Sequence, residues 1–222
     1  MDVIIQARMG SSRLPGKVLK KIDGITILEC VINQLKFCKK LDRIIIATTS
    51  NLEDDKIVDL LQEKNVGIFR GSETDVLDRY YQCAKKFQSK DIVRITSDNP
   101  LIDPEIVDKI ISIYKNTKYE YVNNFMKKTF PIGIHIEVFS YESLEKAWKQ
   151  SKEEYDREHV TPFIYNNPKK FLIFNVENEE DLSKISLTVD TISDFKRIEE
   201  IYSEIKKRPI LLRDILEILK KK

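Results

Sequence analysis

No stretch of this chain approaches the roughly 20 consecutive apolar residues that a membrane helix needs, so no bilayer span is expected. The N-terminus runs straight into an apolar, β-branched segment without the charged-then-apolar order of a secretory leader, and a cytoplasmic setting is the expectation. Cysteine is scarce. Cys30, Cys38 and Cys83 are odd in number and form no C-x-x-C pair, which argues against a disulfide framework. Each falls among apolar residues at helical spacing, as a small buried hydrophobe would. The only histidines, His135 and His159, belong to no H-E-x-x-H or cysteine-linked pattern, so zinc is not indicated. An excess of one charge is missing too: 38 Lys and Arg face 36 Asp and Glu, for a net charge of +2. Arg8, Arg13, Lys17, Lys20 and Lys21 cluster, but no aromatic platform interleaves with them, so nucleic acid is not an expected partner. "KKID" reads as a solvated turn, and Lys220 to Lys222 as a helix end where cations suit the dipole.

What the chain does have is rhythm. "DVIIQA", "RIIIATT", "VGIFRG" and "DIVRITS" are short, β-branched and nearly continuous, as strands covered on both faces are. Between them Ile27, Leu28, Val31, Ile32, Leu35 and Cys38 keep helical spacing, as do Val76, Leu77, Tyr80, Tyr81 and Ala84. Thr74 and Asp103 read as N-caps, with Pro104 at the first helical position. Such alternation predicts a mostly parallel, doubly wound sheet in an α/β/α sandwich. After Tyr119 the rhythm changes. "YEYVNNF" and "IGIHIEVFS" read as strands around the exposed "MKKTFP", then come a helix from Tyr141 to about Gln150 and the charged "SKEEYDREH". "ISLTVD" restores the first rhythm as a strand, followed by a helix through Ile198, Ile201 and Ile205. All 222 residues read as one domain, with 119–170 as an insertion for sugar binding or dimerisation.

In open α/β sheets ligands gather beyond the carboxyl ends of the strands. The first strand delivers "RMGSSRLPGK", Arg8 to Lys17, whose glycines and cations suit an anion. It is not a Walker loop, because five residues separate Gly10 from Gly16 and Val18 follows Lys17. Nor does it have the three-glycine dinucleotide spacing. The other strands deliver "ATTSN", with Thr48 and Ser50; "RGSETD", from Arg70 to Asp75; "TSDNPLID", with Asp98; and Asp190. Cations, hydroxyls and two separated carboxylates fit a nucleoside triphosphate with Mg²⁺, which takes one or two carboxylates and completes its shell with water and phosphate. Arg13 offers a fork for two oxygens and Lys17 a compact point charge.

"IIQARMGSSRLPGKVL", "RGSETDVLDRYYQC", "TSDNPLID", "DREHVTPFIYNNP" and "LTVDTISDF", in that order, resemble the spore-coat polysaccharide biosynthesis (SpsF-type) cytidylyltransferases. These are relatives of the enzymes that activate sialic acid and 3-deoxy-manno-octulosonic acid with CTP. The resemblance implies the nucleotide-diphospho-sugar transferase fold and Mg²⁺-dependent transfer of a cytidylyl group from CTP to a sugar or sugar phosphate. It implies that Arg8, Gly10, Ser11, Ser12, Arg13 and Lys17 hold the triphosphate, with Arg13 and Lys17 catalytic. Thr48 and Ser50, with Arg70 and Asp75, join the nucleotide site, and Asp98 and Asp190 hold magnesium. His135, Glu137, Glu158 and His159 are candidates for the sugar. For the first two a structural pair is the competing reading, and for the last two a subunit contact. Relatives of this kind often form homodimers through their insertion. One departure is plain: acidic-sugar activators usually begin the loop with Pro-Ala-Arg, where this chain has Gln6-Ala7-Arg8. A glycosyltransferase could share the fold, but the Asp-x-Asp pair such enzymes commonly use for metal is absent from the chain.

Overall fold

The four β-branched runs form strands, and the helical patterns between them form helices. The computed structural model describes residues 1–221; Lys222, read above as part of a solvated helix end, lies outside them. In chain order the elements are β1 (Asp2–Gln6), a hairpin of β2 (Lys21–Ile22) and β3 (Ile25–Thr26), α1 (Ile27–Leu35), β4 (Arg43–Thr49), α2 (Asp55–Leu61), β5 (Gly67–Gly71), α3 (Val76–Phe87), β6 (Asp91–Thr96) and α4 (Pro104–Lys115). Then follow β7 (Tyr121–Asn123), β8 (Glu137–Ser140), α5 (Tyr141–Gln150), α6 (Glu154–His159), α7 (Pro162–Tyr165), β9 (Ile173–Asn175), α8 (Ile192–Glu204) and α9 (Leu212–Leu219).

The strands build one sheet in the order β5-β4-β1-β6-β8-β7-β9. β5, β4, β1 and β6 run parallel, β8 is antiparallel to both β6 and β7, and β9 returns parallel to β7. Successive side chains of a strand point to opposite faces. Val3 and Ile5 accordingly join one core, with α1 and α4, while Ile4 joins the other, with α3 and α5. These two apolar layers make the expected α/β/α sandwich.

Local chemistry sets the boundaries. Thr26 and Glu29 form a capping box at α1, and Asp103 caps α4 ahead of Pro104. At α3 the cap is Asp75 rather than Thr74: its carboxylate accepts from Asp78 N at 2.8 Å. "KKID" is not a free turn but enters the hairpin, with Ile22 buried. Cys38 lies beyond the end of α1 and is half-buried, whereas Cys30 and Cys83 are buried as expected. The charged "SKEEYDREH" carries α6.

The expected strands "YEYVNNF" and "IGIHIEVFS" are shorter than their patterns, and "ISLTVD" forms no strand, only an isolated bridge of Ser186 to Ile132. In "IGIHIEVFS" only residues 137–140 join the sheet, because Asn124 takes the place of a neighbouring strand. Its Nδ2 donates to Ile134 O (2.7 Å) and its Oδ1 accepts from Ile136 N (2.8 Å). "ISLTVD" is not a member of the parallel sheet, since β8 already occupies the edge of β6. Its backbone is tied by Ile132 N to Ile185 O (3.0 Å), Leu187 N to Ile132 O (2.6 Å) and Val189 N to Asp98 O (2.9 Å).

Candidate active site

Two adjoining chambers open beyond the carboxyl ends of β1 and β6. The loop after β1 lines the first, of about 270 Å³. Gly16, at φ +67°, turns the chain so that its N–H and that of Ser11 both donate to Met9 O at 2.9 Å. Asp54, 1% exposed, fastens the loop from outside: its Oδ1 accepts from Met9 N at 2.7 Å, and its Oδ2 from Thr48 Oγ1 and Thr49 N, each at 3.1 Å. Among the described residues, the N–H groups of Gly10, Ser12 and Arg13 have no hydrogen-bond partner. Free N–H groups on a fixed loop are what an anion requires.

At the floor of this chamber Lys17 Nζ reaches Asp98 Oδ2 at 2.8 Å, Asp190 Oδ1 at 3.0 Å and the carbonyl of Val189 at 2.8 Å. Arg13 approaches Asp190 from solvent at 2.9 Å. Thr96 Oγ1 donates to Asp98 Oδ1 at 2.6 Å and so fixes the second oxygen of that carboxylate. Asp98 and Asp190, expected to converge across the sheet edge, do converge. The tie from Val189 N to Asp98 O accomplishes this, rather than a shared ladder. Nor is Asp190 a helix cap, since Thr191 performs that task for α8.

The second chamber, about 310 Å³, lies beside the first. His135, Glu137, Phe125, Tyr155 and Tyr165 are among its walls. Thr96, Asp98, His159 and Asp190 line both chambers and form the boundary between them. Its base is an ion pair of Arg94 with Glu137, whose other oxygen accepts from Tyr121 at 2.6 Å. Burial works against the Arg94 charge, but Glu137 beside it holds the guanidinium protonated above its usual range. Tyr121 is pushed far up, by burial and then by Glu137. Tyr165 rises to about 12 through burial and the neighbouring Tyr155. Burial draws His135 below its ordinary 6.5.

The candidates therefore separate. Arg8, Gly10, Ser11, Ser12, Arg13, Lys17, Asp98, Glu158, His159 and Asp190 line the first chamber. His135 and Glu137 face the second. Thr48, Ser50, Arg70 and Asp75 line neither. Thr48 is fully buried on Asp54, and Ser50 is exposed with its hydroxyl 3.4 Å from Gly71 O. Arg70 staples the loops by donating to Thr49 O (2.9 Å) and Asn51 O (2.8 Å) while pairing with Asp55. Asp75 caps α3 and grips Arg157 Nε at 2.9 Å, which anchors α6 and hence His159. Asp54, Arg79 and Arg94 escaped the reading of the sequence, because a lone charged residue inside a strand or helix pattern carries no local signal of what it will face.

A fixed anion loop, two converging carboxylates and a neighbouring polar chamber suit group transfer from a polyphosphate. Known proteins point the same way. The sequence profile described as "Cytidylyltransferase" matches residues 3–218. An uncharacterized protein of Methanocaldococcus jannaschii is 46% identical, over 98% of this chain and 89% of its own. The spore coat polysaccharide biosynthesis protein SpsF of Bacillus subtilis is 34% identical, over 93% of this chain and 88% of its own. A cytidylyltransferase structure from Leptospira borgpetersenii superposes with a TM-score of 0.95 at 37% identity, covering 99% of this chain and 93% of that one. The sheet is that of the nucleotide-diphospho-sugar transferase fold. With nearly its whole length matched in sequence and in structure, the chain belongs to the cytidylyltransferase family.

Proposed function

We propose that the protein transfers a cytidylyl group from CTP to a sugar or sugar phosphate, releasing pyrophosphate, with Mg²⁺ as cofactor. The observation that carries this reading is the boundary between the chambers. The phosphate loop lies on one side, a monosaccharide-sized polar chamber on the other, and Asp98, Asp190 and His159 are common to both. An acceptor oxygen in the second chamber faces the α-phosphorus of a triphosphate in the first. The new P–O bond forms from the acceptor oxygen, which, where it is a hydroxyl, gives up its proton to solvent; the bond to the β-phosphate oxygen breaks, its electron pair leaving with pyrophosphate.

The chain's residues do this work by position and charge. The free N–H groups of the loop hold the phosphates. Arg13, with 64% of its side chain exposed, can fork onto phosphate oxygens, and Lys17 offsets charge at the reacting centre. The Asp98–Asp190 pair fits a hard divalent cation. Its donors are oxygens, and they already close on a cation, the Lys17 ammonium. Among the described residues no third acidic, histidine or cysteine side chain completes a cage, which suits a metal that keeps water and phosphate in its shell. Asp98 and Asp190 would hold Mg²⁺, which when bound supplies Lewis-acid neutralisation of phosphate oxygens. The Bacillus subtilis relative supports a place in polysaccharide biosynthesis.

The test is pyrophosphate release from each nucleoside triphosphate, with Mg²⁺, against a panel of sugars and sugar phosphates. Release that requires CTP together with one acceptor is the expected result. If no acceptor elicits pyrophosphate and CTP fails to stabilise the protein against heat, the reading is wrong.

A further inference from the structure

Four side-chain cations line the phosphate chamber, and three of them already face carboxylates: Arg8 meets Glu73 at 3.6 Å, Arg13 meets Asp190, and Lys17 meets Asp98 and Asp190. The fourth is Arg79, which has no ion-pair partner among the described residues. It lies in the first turn of α3 and is 1% exposed. Its Nη1 donates to the carbonyls of Ser72 and Glu73. Its Nε is buried without a partner, and its Nη2 makes no hydrogen bond among the described residues. Burial, with the like charge of Arg8, draws the pKa below the ordinary guanidinium value, against the opposing pull of Asp54 and Glu73, which lie beyond ion-pair distance.

An ion taken out of water without a counter-ion is costly, and an ordinary fold pairs it or replaces it. Holding the Ser72–Glu73 turn does not explain the cost, because two carbonyls need donors and not a charge. The position does explain it. Arg79 stands in the wall of a chamber whose proposed occupant carries several negative charges, and its cationic neighbours there are already neutralised. We propose that Arg79 is a nucleotide-binding residue whose uncompensated charge is matched by the polyphosphate of the bound nucleotide. The proposal rests on the CTP reading above and adds to it a cation in the chamber wall that no carboxylate pairs among the described residues.

Calorimetric titration of CTP, CDP, CMP and cytidine into the wild type, Arg79→Gln, Arg79→Met and Arg79→Lys tests it. The neutral variants should bind CTP about 10- to 100-fold more weakly, as loss of a charge-assisted contact does. The deficit should shrink with each phosphate removed and vanish for cytidine, while Arg79→Lys stays within about threefold of the wild type because the charge remains. An equal deficit for cytidine would make Arg79 a mere clamp on the turn and overturn the proposal. So would undiminished CTP binding, an Arg79→Lys as poor as the neutral variants, or failure of both neutral variants to fold. Wild-type protein that binds none of the four ligands would instead overturn the CTP reading, and the proposal with it.

Discussion

Replacing Lys17 with methionine keeps the reach of the side chain and removes its charge. Lys17 is only 12% exposed, and the carboxylates that it joins are 25% and 24% exposed. Its two contacts keep an oxygen of Asp98 within about 6 Å of an oxygen of Asp190. At that separation and an effective dielectric constant of about 20, the two negative charges repel by about 3 kcal/mol, which the ammonium now cancels. Both carboxylates touch water, so screening and rotation should reduce the loss to about 1–2 kcal/mol. For a chain of this size that is about 2–8 °C in Tm. Millimolar Mg²⁺ should raise the Tm of Lys17→Met by more than it raises that of the wild type, because the ion meets an acidic pair without its internal counter-charge. Turnover should not return with it. A missing electrostatic donor to the reacting phosphate costs about 2.7–4 kcal/mol, or roughly 10²–10³ in kcat. Thermal melts with and without Mg²⁺, paired with pyrophosphate release, give both readings. Wild-type turnover, or a Mg²⁺ shift no larger than that of the wild type, would refute the reasoning.

Gly133→Ala should be severe, since Gly133 has φ +100° and a Cβ there would lie 2.6 Å from Leu187 C and 2.7 Å from Thr188 N. A loss of about 2–4 kcal/mol in urea unfolding is expected, with a fall in turnover as Asp190 shifts; a normal midpoint would contradict it. Glu137→Gln strips the buried Arg94 of its counter-ion and should cost about 3–5 kcal/mol by the same assay, so an unchanged midpoint would show the pair to be dispensable. His135 provides a pH test. Its folded pKa lies below the ordinary 6.5, so the unfolded chain binds the proton first and stability falls as pH drops below 6.5 towards the depressed value. His135→Gln should flatten the dependence of the urea midpoint on pH in that window, and an unaltered slope would exclude the histidine as its source.

Much of this architecture is legible in the sequence, because the parallel strands are buried on both faces and announce themselves as unbroken apolar runs. The loop after β1 stands out for another reason: Arg8, Arg13 and Lys17 beside two glycines serve no capping need. What fails is whatever depends on one side chain meeting a distant backbone. Asn124 replaces a strand for residues 134–136, and nothing local distinguishes it from a surface asparagine. Alternation in "ISLTVD" correctly reports burial of Leu187 and Val189, but not that the sheet has no vacant edge to receive them. Asp75 has contacts of its own that no local pattern announces. Placed near the nucleotide by its motif, it spends its carboxylate on α3 and Arg157.

The irregular path of residues 185–190 has a consequence for how new acceptor preferences could arise. The phosphate loop hangs from the sheet interior, whereas Asp190 hangs from a segment stitched to Ile132 on one side and to Asp98 on the other. That segment also abuts Gly133, in the wall of the second chamber. Side chains such as Phe125, Tyr155 and Tyr165 can therefore be exchanged to recut the acceptor chamber while the phosphate loop stays as it is. The backbone at 132–134 cannot be recut in the same way, because it is the jig that holds the Asp190 carboxylate proposed for the metal. Diversification of this scaffold is thus confined to side chains around a fixed backbone seam, and grafts that spare Ile132 and Gly133 are the ones that keep the chemistry intact.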